Sequence, residues 1–220
     1  MIKGIIFDLD GTLLNTIDDI ADSMNFALKT NGFYEYVNDE YKYFVGKGVH
    51  HLVEMVLDGQ TREDQKKQKV LSSYLKKYAE LQNNKTKPYS GIEELLMNLN
   101  LRELKVGVLS NKPDADTQKV VKRYFPNVAF DAIFGAQDAF PIKPHPAGAN
   151  LMVKRFDCKA EEVLYVGDTS VDMQTAKNAG LTAIGVLWGF RKEAELVRAK
   201  ADYIISHPRE VLDIIRELNK

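Results

Sequence analysis

The chain has few of the features that mark secreted, membrane-spanning and nucleic-acid-binding proteins. Its 220 residues include a single cysteine, Cys158, which excludes an intrachain disulfide and a cysteine-rich metal site. Thirty basic residues stand against 31 acidic ones, and this balance argues against the basic face that usually marks a nucleic-acid partner. No apolar run approaches the roughly 18 residues needed to span a membrane. We therefore expect a protein with neither a nucleic-acid nor a membrane partner.

The remaining composition is that of a globular protein. Hydrophobic residues make up 45% of the chain, which is enough for a sizeable core. The chain enters an apolar run at once, without the basic and long apolar segments of a signal peptide, so we expect it to be cytoplasmic. Its length suits one core domain with a smaller insertion.

The most informative segment lies within the first dozen residues. An apolar run at 3–7 with strand character leads into Asp8-Leu9-Asp10-Gly11-Thr12, two carboxylates two positions apart followed by a glycine turn. Such a run places its acids at the carboxyl edge of a sheet, where open α/β folds build their sites.

Strand-like and helical segments alternate from Pro88 onward. The patterns predict helices over 91–101, 147–156, 170–179 and 209–218, another beginning with Pro113 at its first position, and strands over 105–109, 130–134, 162–166, 182–187 and 202–205. Gly180 is placed to end the 170–179 helix. This alternation predicts an α/β fold with a parallel sheet and helices on both faces.

The segment between the first and second long strands is helical by pattern. It begins near Thr16, which with Asp19 forms a capping-box pattern, and further helices are predicted over 38–45, 48–58 and 61–82. A crossover needs only about a dozen or more residues, so this stretch is expected to form its own all-helical domain. The predicted domains are a discontinuous core of 1–14 and 84–220 and a helical insertion of 15–83.

Four motifs in order resemble those of the haloacid-dehalogenase superfamily of phosphotransferases. They are Asp8-Leu9-Asp10-Gly11-Thr12, then Ser110-Asn111, then Lys143-Pro144, and finally Gly167-Asp168-Thr169-Ser170-Val171-Asp172. The resemblance spans nearly the whole chain. It implies a Rossmann-like core, and it implies that the helical insertion is a small cap over the carboxyl edge of the sheet.

The resemblance assigns roles to the acids. Asp8 would be the nucleophile that forms an aspartyl-phosphate, and Asp10 the general acid and later base. Two carboxylates about 4 Å apart repel by around 4 kcal/mol at an effective dielectric of 20, which a hard cation such as Mg²⁺ relieves. By resemblance its ligands are the Asp8 carboxylate, the Asp10 main-chain carbonyl and the Asp168 carboxylate. Asp172 would act through water, although an acid in the first turn of a helix is favourable in any case.

The second and third motifs supply candidate phosphate-binding groups. The Ser110 hydroxyl and the Asn111 backbone N–H precede a predicted helix and could bind phosphate oxygens there. The same pair also suits an ordinary turn. Lys143 would offset negative charge between Asp8 and the phosphate, although a lysine in a loop is more commonly solvated.

Within the superfamily the chain most resembles the phosphoglycolate phosphatases. Similar segments are Val45-Gly46-Lys47-Gly48, Pro88-Tyr89-Ser90-Gly91-Ile92 and Lys143-Pro144-His145-Pro146, and departures are Asn15 and Gly148. Lys47 is the candidate for contacting a substrate carboxylate. The adjacent His50 and His51 cannot both face one site.

The predicted function is that of a Mg²⁺-dependent phosphatase that hydrolyses a small-molecule phosphate monoester, a small phosphorylated metabolite that is phosphoglycolate-like, through an aspartyl-phosphate intermediate. The alternatives are a β-phosphoglucomutase-like phosphotransferase and a pyrophosphatase, nucleotidase or sugar-phosphate phosphatase of the same superfamily. A non-catalytic binding domain is disfavoured, since a pure binder has no use for Asp10. The physiological substrate and the choice between monomer and homodimer stay open.

Overall fold

The computed structural model describes residues 1–81 and 84–220. These residues divide into two compact units, which we call the α/β unit (Met1–Leu14 and Pro88–Lys220) and the helical unit (Asn15–Lys87). The predicted end of a helix at residue 82 and the predicted end of the helical insertion at residue 83 lie outside the described residues.

The secondary structure follows the alternation that the sequence predicts. In chain order the elements are β1 (Gly4–Phe7), β2 (Leu14–Asn15), α1 (Ile17–Thr30), α2 (Asn38–Phe44), α3 (Val49–Leu57), α4 (Asp64–Leu81), β3 (Lys87–Pro88), α5 (Ile92–Leu101), β4 (Lys105–Pro113), α6 (Asp114–Tyr124), β5 (Ala132–Ala136), α7 (Ala147–Arg155), a 3₁₀ turn (Ala160–Glu162), β6 (Val163–Gly167), α8 (Ser170–Asn178), β7 (Thr182–Val186), α9 (Glu193–Arg198), β8 (Tyr203–Ile205) and α10 (Glu210–Leu218). Gly180, at φ 71°, follows α8 as predicted.

The α/β unit is built on a parallel six-stranded sheet with the order β5-β4-β1-β6-β7-β8. The register pairs Phe7 of β1 with Val108 of β4 on one side and with Val166 of β6 on the other. The predicted fold class, a Rossmann-like parallel sheet with an inserted helical region, is confirmed.

Two hydrophobic clusters cover the two faces of this sheet. Ile5 and Phe7 join a cluster that includes the buried residues of α5, α6 and α10. Ile6, which points the other way because strand side chains alternate, joins a cluster with α7, α8 and α9. Each face is therefore sealed by helices, which is why β1 and β6 are apolar throughout.

The strand order brings the functional motifs to one edge. From β1 the chain goes to β4 and β5 on one side, and from β6 it continues to β7 and β8 on the other. The carboxyl ends of β1 and β6 thus meet where the direction of strand addition reverses, the place where open α/β sheets form their binding crevice. Asp8 and Asp168 are the residues that immediately follow these two strands.

The helical unit contains α1 to α4. Helix α1 buries apolar residues that recur at helical spacing, namely Ile17, Ile20, Ala21, Met24, Ala27 and Leu28. Phe26 of α1 is 46% exposed, and Leu75 of α4 is 40% exposed. The ring of Phe26 lies against Lys77 of α4, whose Nζ is 4.8 Å from the ring centre.

The capping box predicted at the start of α1 is wrong. Thr16 is the N-cap residue, but its side chain makes no cap hydrogen bond. The buried Asp19 carboxylate instead accepts the Lys85 N–H at 3.0 Å, the Thr86 N–H at 2.9 Å and the Thr86 hydroxyl at 2.7 Å. The Asp19 carboxylate therefore binds a segment 66 residues away in sequence and not the start of its own helix.

Strand β4 runs further than predicted, through the second motif to Pro113. Its register with β5 shifts between Leu109 and Pro113, so the motif occupies an irregular end of the strand. Pro113 is the N-cap of α6 and not its first residue. Helix α9 is an element that the sequence patterns did not predict. Among the described residues no helix is both long and apolar enough to cross a membrane.

Candidate active site

The first motif forms a tight loop directly after β1. Asp8 is 6% exposed, and the Leu9 carbonyl accepts the backbone N–H groups of Thr12, Leu13 and Leu14. Gly11 has a φ of 91°, and a Cβ there would lie 2.4 Å from an Asp168 carboxylate oxygen. Only glycine allows this loop to approach the acid of the fourth motif so closely.

Lys143 links the first, third and fourth motifs. Its Nζ lies 2.7 Å from Asp8 Oδ1 and 2.7 Å from Asp172 Oδ1. The lysine is 4% exposed, so it is not the solvated loop residue that lysines in loops usually are. Burial alone would lower the pKa of Lys143, but the Asp172 and Asp8 carboxylates outweigh it and hold that pKa well above its usual value. Lys143 therefore stays charged between two acids.

The side chain of Asn111 holds the backbone of Lys143. Its Nδ2 donates to the Lys143 carbonyl at 3.0 Å, and its Oδ1 accepts the Lys143 N–H at 2.8 Å. Asn111 is buried, as is Ser110, whose Oγ accepts the Lys112 N–H at 3.2 Å. The sequence predicts that the backbone N–H of Asn111 binds phosphate. The structure shows a second role, because the Asn111 side chain holds the backbone of Lys143.

Asp168 is completely buried and held from two sides. Thr12 Oγ1 donates to its Oδ1 at 3.2 Å, and the Phe190 N–H donates to its Oδ2 at 2.7 Å. A Cβ at Gly189 would come within 2.3 Å of the Asp168 Cβ, so the loop after β7 also needs glycine at its closest approach.

The loop after β7 is a part of the site that the sequence reasoning missed. Phe190 is buried. Trp188 donates its indole N–H to the Thr12 carbonyl at 2.9 Å. Together with the Phe190 contact to Asp168, this ties the first motif to the fourth. The run Trp188-Gly189-Phe190 following a strand was the available signal.

Asp172 is engaged through both carboxylate oxygens. Its Oδ2 accepts the Thr169 N–H at 3.0 Å and the Thr169 hydroxyl at 2.7 Å, and the first of these contacts belongs to the capping box at the start of α8. Its Oδ1 accepts Lys143 and, at 3.5 Å, the hydroxyl of the buried Tyr165. Asp172 thus orients Lys143. Tyr165 was not singled out from the sequence because it looked like an ordinary core residue of β6.

Asp8, Asp168 and Asp172 form a group in which one carboxylate oxygen from each residue lies within 4.8 Å of those of the other two. Burial, followed by repulsion from Asp172, raises the pKa of Asp8 well above its usual value and raises the pKa of Asp168 to about 7. The single ammonium group of Lys143 cannot neutralise three carboxylates. Three buried oxygen donors of this kind fit a divalent cation, which would supply the missing positive charge.

Asp10 lies at the more open side of this group. Its side chain is 20% exposed, and its Oδ1 lies 3.4 Å from Nζ of Lys112, whose side chain is 6% exposed. Lys112 follows the second motif directly, and the sequence reasoning assigned it no role. A lysine next to Ser110-Asn111 was visible, but nothing local showed that it would turn towards the first motif.

Lys47 belongs to the helical unit, where it is exposed between Gly46 (φ 111°) and Gly48 (φ 84°). Desolvation and then the charge of Lys47 lower the pKa of His51, so these two side chains are neighbours. His50 is exposed. The core residues Asp8, Asp10, Asp168, Asp172, Lys143 and Asn111 are brought together, whereas Lys47 stands in the other unit.

Comparison with known proteins agrees with this geometry. The model of the family described as haloacid dehalogenase-like hydrolase matches residues 5–186. The chain belongs to this family. The resemblance expected from the four motifs is therefore confirmed, and with it an enzyme of the hydrolase class.

Full-length relatives carry two activity names. The chain is 31% identical to a phosphoglycolate phosphatase from Aquifex aeolicus, over 96% of this chain and 95% of that protein. It is 26% identical to the pyrophosphatase PpaX from Bacillus thuringiensis, over 100% of this chain and 99% of that protein. A solved structure from Lactobacillus delbrueckii subsp. bulgaricus, provisionally assigned as a phosphoglycolate phosphatase, has a TM-score of 0.91 and 30% identity, covering 97% of this chain and 98% of that chain. The relatives named phosphoglycolate phosphatase agree with the predicted class of phosphoric monoester hydrolase.

Proposed function

We propose that the chain is a Mg²⁺-dependent phosphatase that hydrolyses a small-molecule phosphate monoester through an aspartyl-phosphate on Asp8. The observation that carries the proposal is the position of Lys143 Nζ, 2.7 Å from Asp8 Oδ1, beside a group of three buried carboxylates. A purely structural ion pair would not need further acids whose charge it cannot balance. The arrangement suits a site that receives a metal ion and a phosphate.

The metal would be held by the carboxylates of Asp8 and Asp168 and by the main-chain carbonyl of Asp10. When bound, a divalent cation neutralises negative charge on the acids and on the phosphate. The chemistry of the ligands does not by itself select Mg²⁺ over other hard cations, so magnesium is part of the proposal.

The protein side chains then divide the reaction between them. The Asp8 carboxylate attacks phosphorus and forms a P–O bond while the ester P–O bond breaks. Asp10 gives a proton to the departing oxygen and, in the second step, takes one from the water that attacks the phosphoenzyme. Lys143, oriented by Asp172 and Asn111, stabilises the negative charge of the phosphoryl group. The Ser110 hydroxyl would bind a phosphate oxygen.

The helical unit is the proposed cap, and the α/β unit is the proposed catalytic core. The core motifs recognise only phosphate, so the choice of substrate falls to the helical unit. We propose that Lys47 pairs with a carboxylate of the substrate, as a phosphoglycolate-like ester would require. The relatives named phosphoglycolate phosphatase support this choice.

Pyrophosphate hydrolysis is the second candidate, because relatives that match the whole chain are named pyrophosphatases. A lysine in the helical unit would meet a second phosphate as readily as a carboxylate. A phosphomutase would use the same core residues, but it would isomerise a sugar phosphate in the presence of a bisphosphate activator and would release little free phosphate.

The test is a screen of phosphorylated metabolites, pyrophosphate included, for release of inorganic phosphate in the presence of Mg²⁺. Wild type should release phosphate and give a phosphorylated Asp8 peptide after acid quenching, whereas Asp8→Asn should do neither. Asp138→Asn, an exposed aspartate of the same unit, is the matched control. Normal turnover by Asp8→Asn would rule out the covalent route.

A further inference from the structure

Lys112 is a buried lysine that contacts the proposed general acid. Its side chain is 6% exposed, and its Nζ lies 3.4 Å from Asp10 Oδ1. Burying an ammonium group costs free energy unless an acid pairs with it, so the burial of Lys112 beside Asp10 indicates a functional role. The four motifs do not provide one, because they end at Asn111 on this strand.

The backbone around Lys112 is held firmly. Its N–H donates to Ser110 Oγ at 3.2 Å, and its carbonyl accepts the Thr117 hydroxyl at 3.2 Å. The register of β4 with β5 shifts between Leu109 and Pro113, so Lys112 lies within the irregular stretch. A lysine that starts from a fixed backbone loses less additional freedom when its ammonium group is held at one place.

Asp10 is less enclosed than the other acids. Its side chain is 20% exposed, compared with 9% for Asp8 and 1% for Asp172. Asp8 and Asp172 share Lys143, and Asp168 is bound by Thr12 and Phe190. For Asp10, the contact with Lys112 plays the part that these partners play for the other acids.

We propose that Lys112 is a positioning residue that holds the Asp10 side chain in place for proton transfer to the leaving group. The inference rests on the proposed function and deepens it. A general acid acts only within hydrogen-bond reach of the atom that it protonates, so an Asp10 free to rotate would spend less time in place. The effect of Lys112 should therefore pass through Asp10 and depend on how much the leaving group needs a proton.

The leaving group provides the readout. An alkyl ester such as phosphoglycolate leaves as a strongly basic alkoxide and needs protonation, whereas p-nitrophenyl phosphate has a leaving group that needs little. The parameter kcat/KM covers the steps up to transfer of the phosphoryl group to Asp8. For Lys112→Met we expect kcat/KM for the alkyl ester to fall about 10- to 100-fold. This loss is smaller than that expected from removing the general acid itself. The loss in kcat/KM for the aryl ester should be several times smaller than the loss for the alkyl ester.

Further variants separate positioning from other roles. Lys112→Arg, which keeps the charge, should recover part of the alkyl-ester activity, and Lys112→Gln provides the comparison if the methionine variant does not fold. Lys119→Met, an exposed lysine on α6, should behave as wild type. In the Asp10→Asn background Lys112→Met should cause little additional loss, because residues that act as one unit are not additive.

Equal losses of kcat/KM on both esters, with a matching rise in the inhibition constant of inorganic phosphate, would show that Lys112 binds phosphate directly. This result would overturn the positioning role but not the proposed function. An undiminished effect of Lys112→Met in the Asp10→Asn background would overturn it as well. If wild type released phosphate from neither ester nor from any other substrate with Mg²⁺, the proposed function itself would fail, and this inference with it.

Discussion

The metal-free site should make the protein less stable as the pH rises, and Asp168 should be a main cause. Burial, followed by repulsion from Asp172, raises the pKa of Asp168 from 3.8 to about 7. In the unfolded chain this acid ionises near its ordinary value. Between the two values the folded state holds a proton that the unfolded state has lost, so the free energy of unfolding falls with rising pH.

The size of this effect follows from the shift. One pH unit corresponds to roughly 1.4 kcal/mol, so the full interval from 3.8 to about 7 amounts to about 4 kcal/mol. Between pH 5 and pH 8 about 2 units of this interval are crossed, which gives about 3 kcal/mol. The contribution of Asp168 to the free energy of unfolding is therefore at its most favourable below pH 3.8, and this advantage is lost as the pH rises past about 7.

Urea unfolding in the presence of EDTA at pH 5 and pH 8 measures the difference. The single tryptophan, Trp188, lies in the α/β unit and reports on its unfolding by fluorescence. Wild type should lose about 3 kcal/mol more than Asp168→Asn between the two pH values, because the variant has no carboxylate to ionise. The other ionisable groups are common to both proteins, so we expect their contributions to cancel in the comparison. Asp138→Asn, exposed in the same unit, should follow wild type.

Adding Mg²⁺ at pH 8 should restore stability to wild type and have a much smaller effect on Asp168→Asn, because a ligand that binds the folded state stabilises it. Equal pH dependence in wild type and Asp168→Asn would refute the reasoning. It would mean that the three acids do not strain the metal-free site.

Four other predictions concern single side chains. Lys143→Met should lower kcat/KM at least about 100-fold and reduce stability at pH 8 by about 3–5 kcal/mol in urea unfolding, because two buried acids lose their shared donor. Asp10→Asn should reduce turnover of an alkyl ester by about 10²–10⁴-fold, and a loss of less than about 10-fold in steady-state assays would argue against proton transfer by this acid. Lys47→Ala should raise KM for carboxylated phosphoesters while sparing a simple aryl phosphate, and equal loss on both would refute the carboxylate contact. Asp19→Ala should destabilise the protein by about 3 kcal/mol in urea unfolding, since two backbone N–H groups and a hydroxyl lose their acceptor.

The sequence patterns predicted the elements of the α/β unit well. Strands such as β6 are short apolar runs bounded by polar turns, and helices such as α8 carry a capping box and a terminal glycine. These signals are local, so they can be recognised without knowing the fold. The capping box expected at Thr16 and Asp19 shows the limit, because Asp19 has partners 66 and 67 residues away that no local pattern reveals.

The candidate site was predictable to the extent that it consists of strand ends. Asp8 and Asp168 follow apolar strands, and parallel strands carry their carboxyl ends to one edge of a sheet. Lys112, Tyr165 and Trp188 were not predicted as site residues. Each looks like an ordinary strand or loop residue, and its role depends on what its side chain meets across the sheet.

Local patterns in the chain were sufficient to predict the α/β alternation, the inserted helices and the types of group gathered at the sheet edge. Hydrophobic periodicity and turn chemistry act between near neighbours and are therefore present in the chain itself. The pairing of cations with acids could not be predicted in this way: Lys143 lies between Asp8 and Asp172, and Lys112 lies against Asp10. These pairings depend on strand order, on the irregular end of β4 and on close approach at Gly11, all of which exist only once distant segments have packed together.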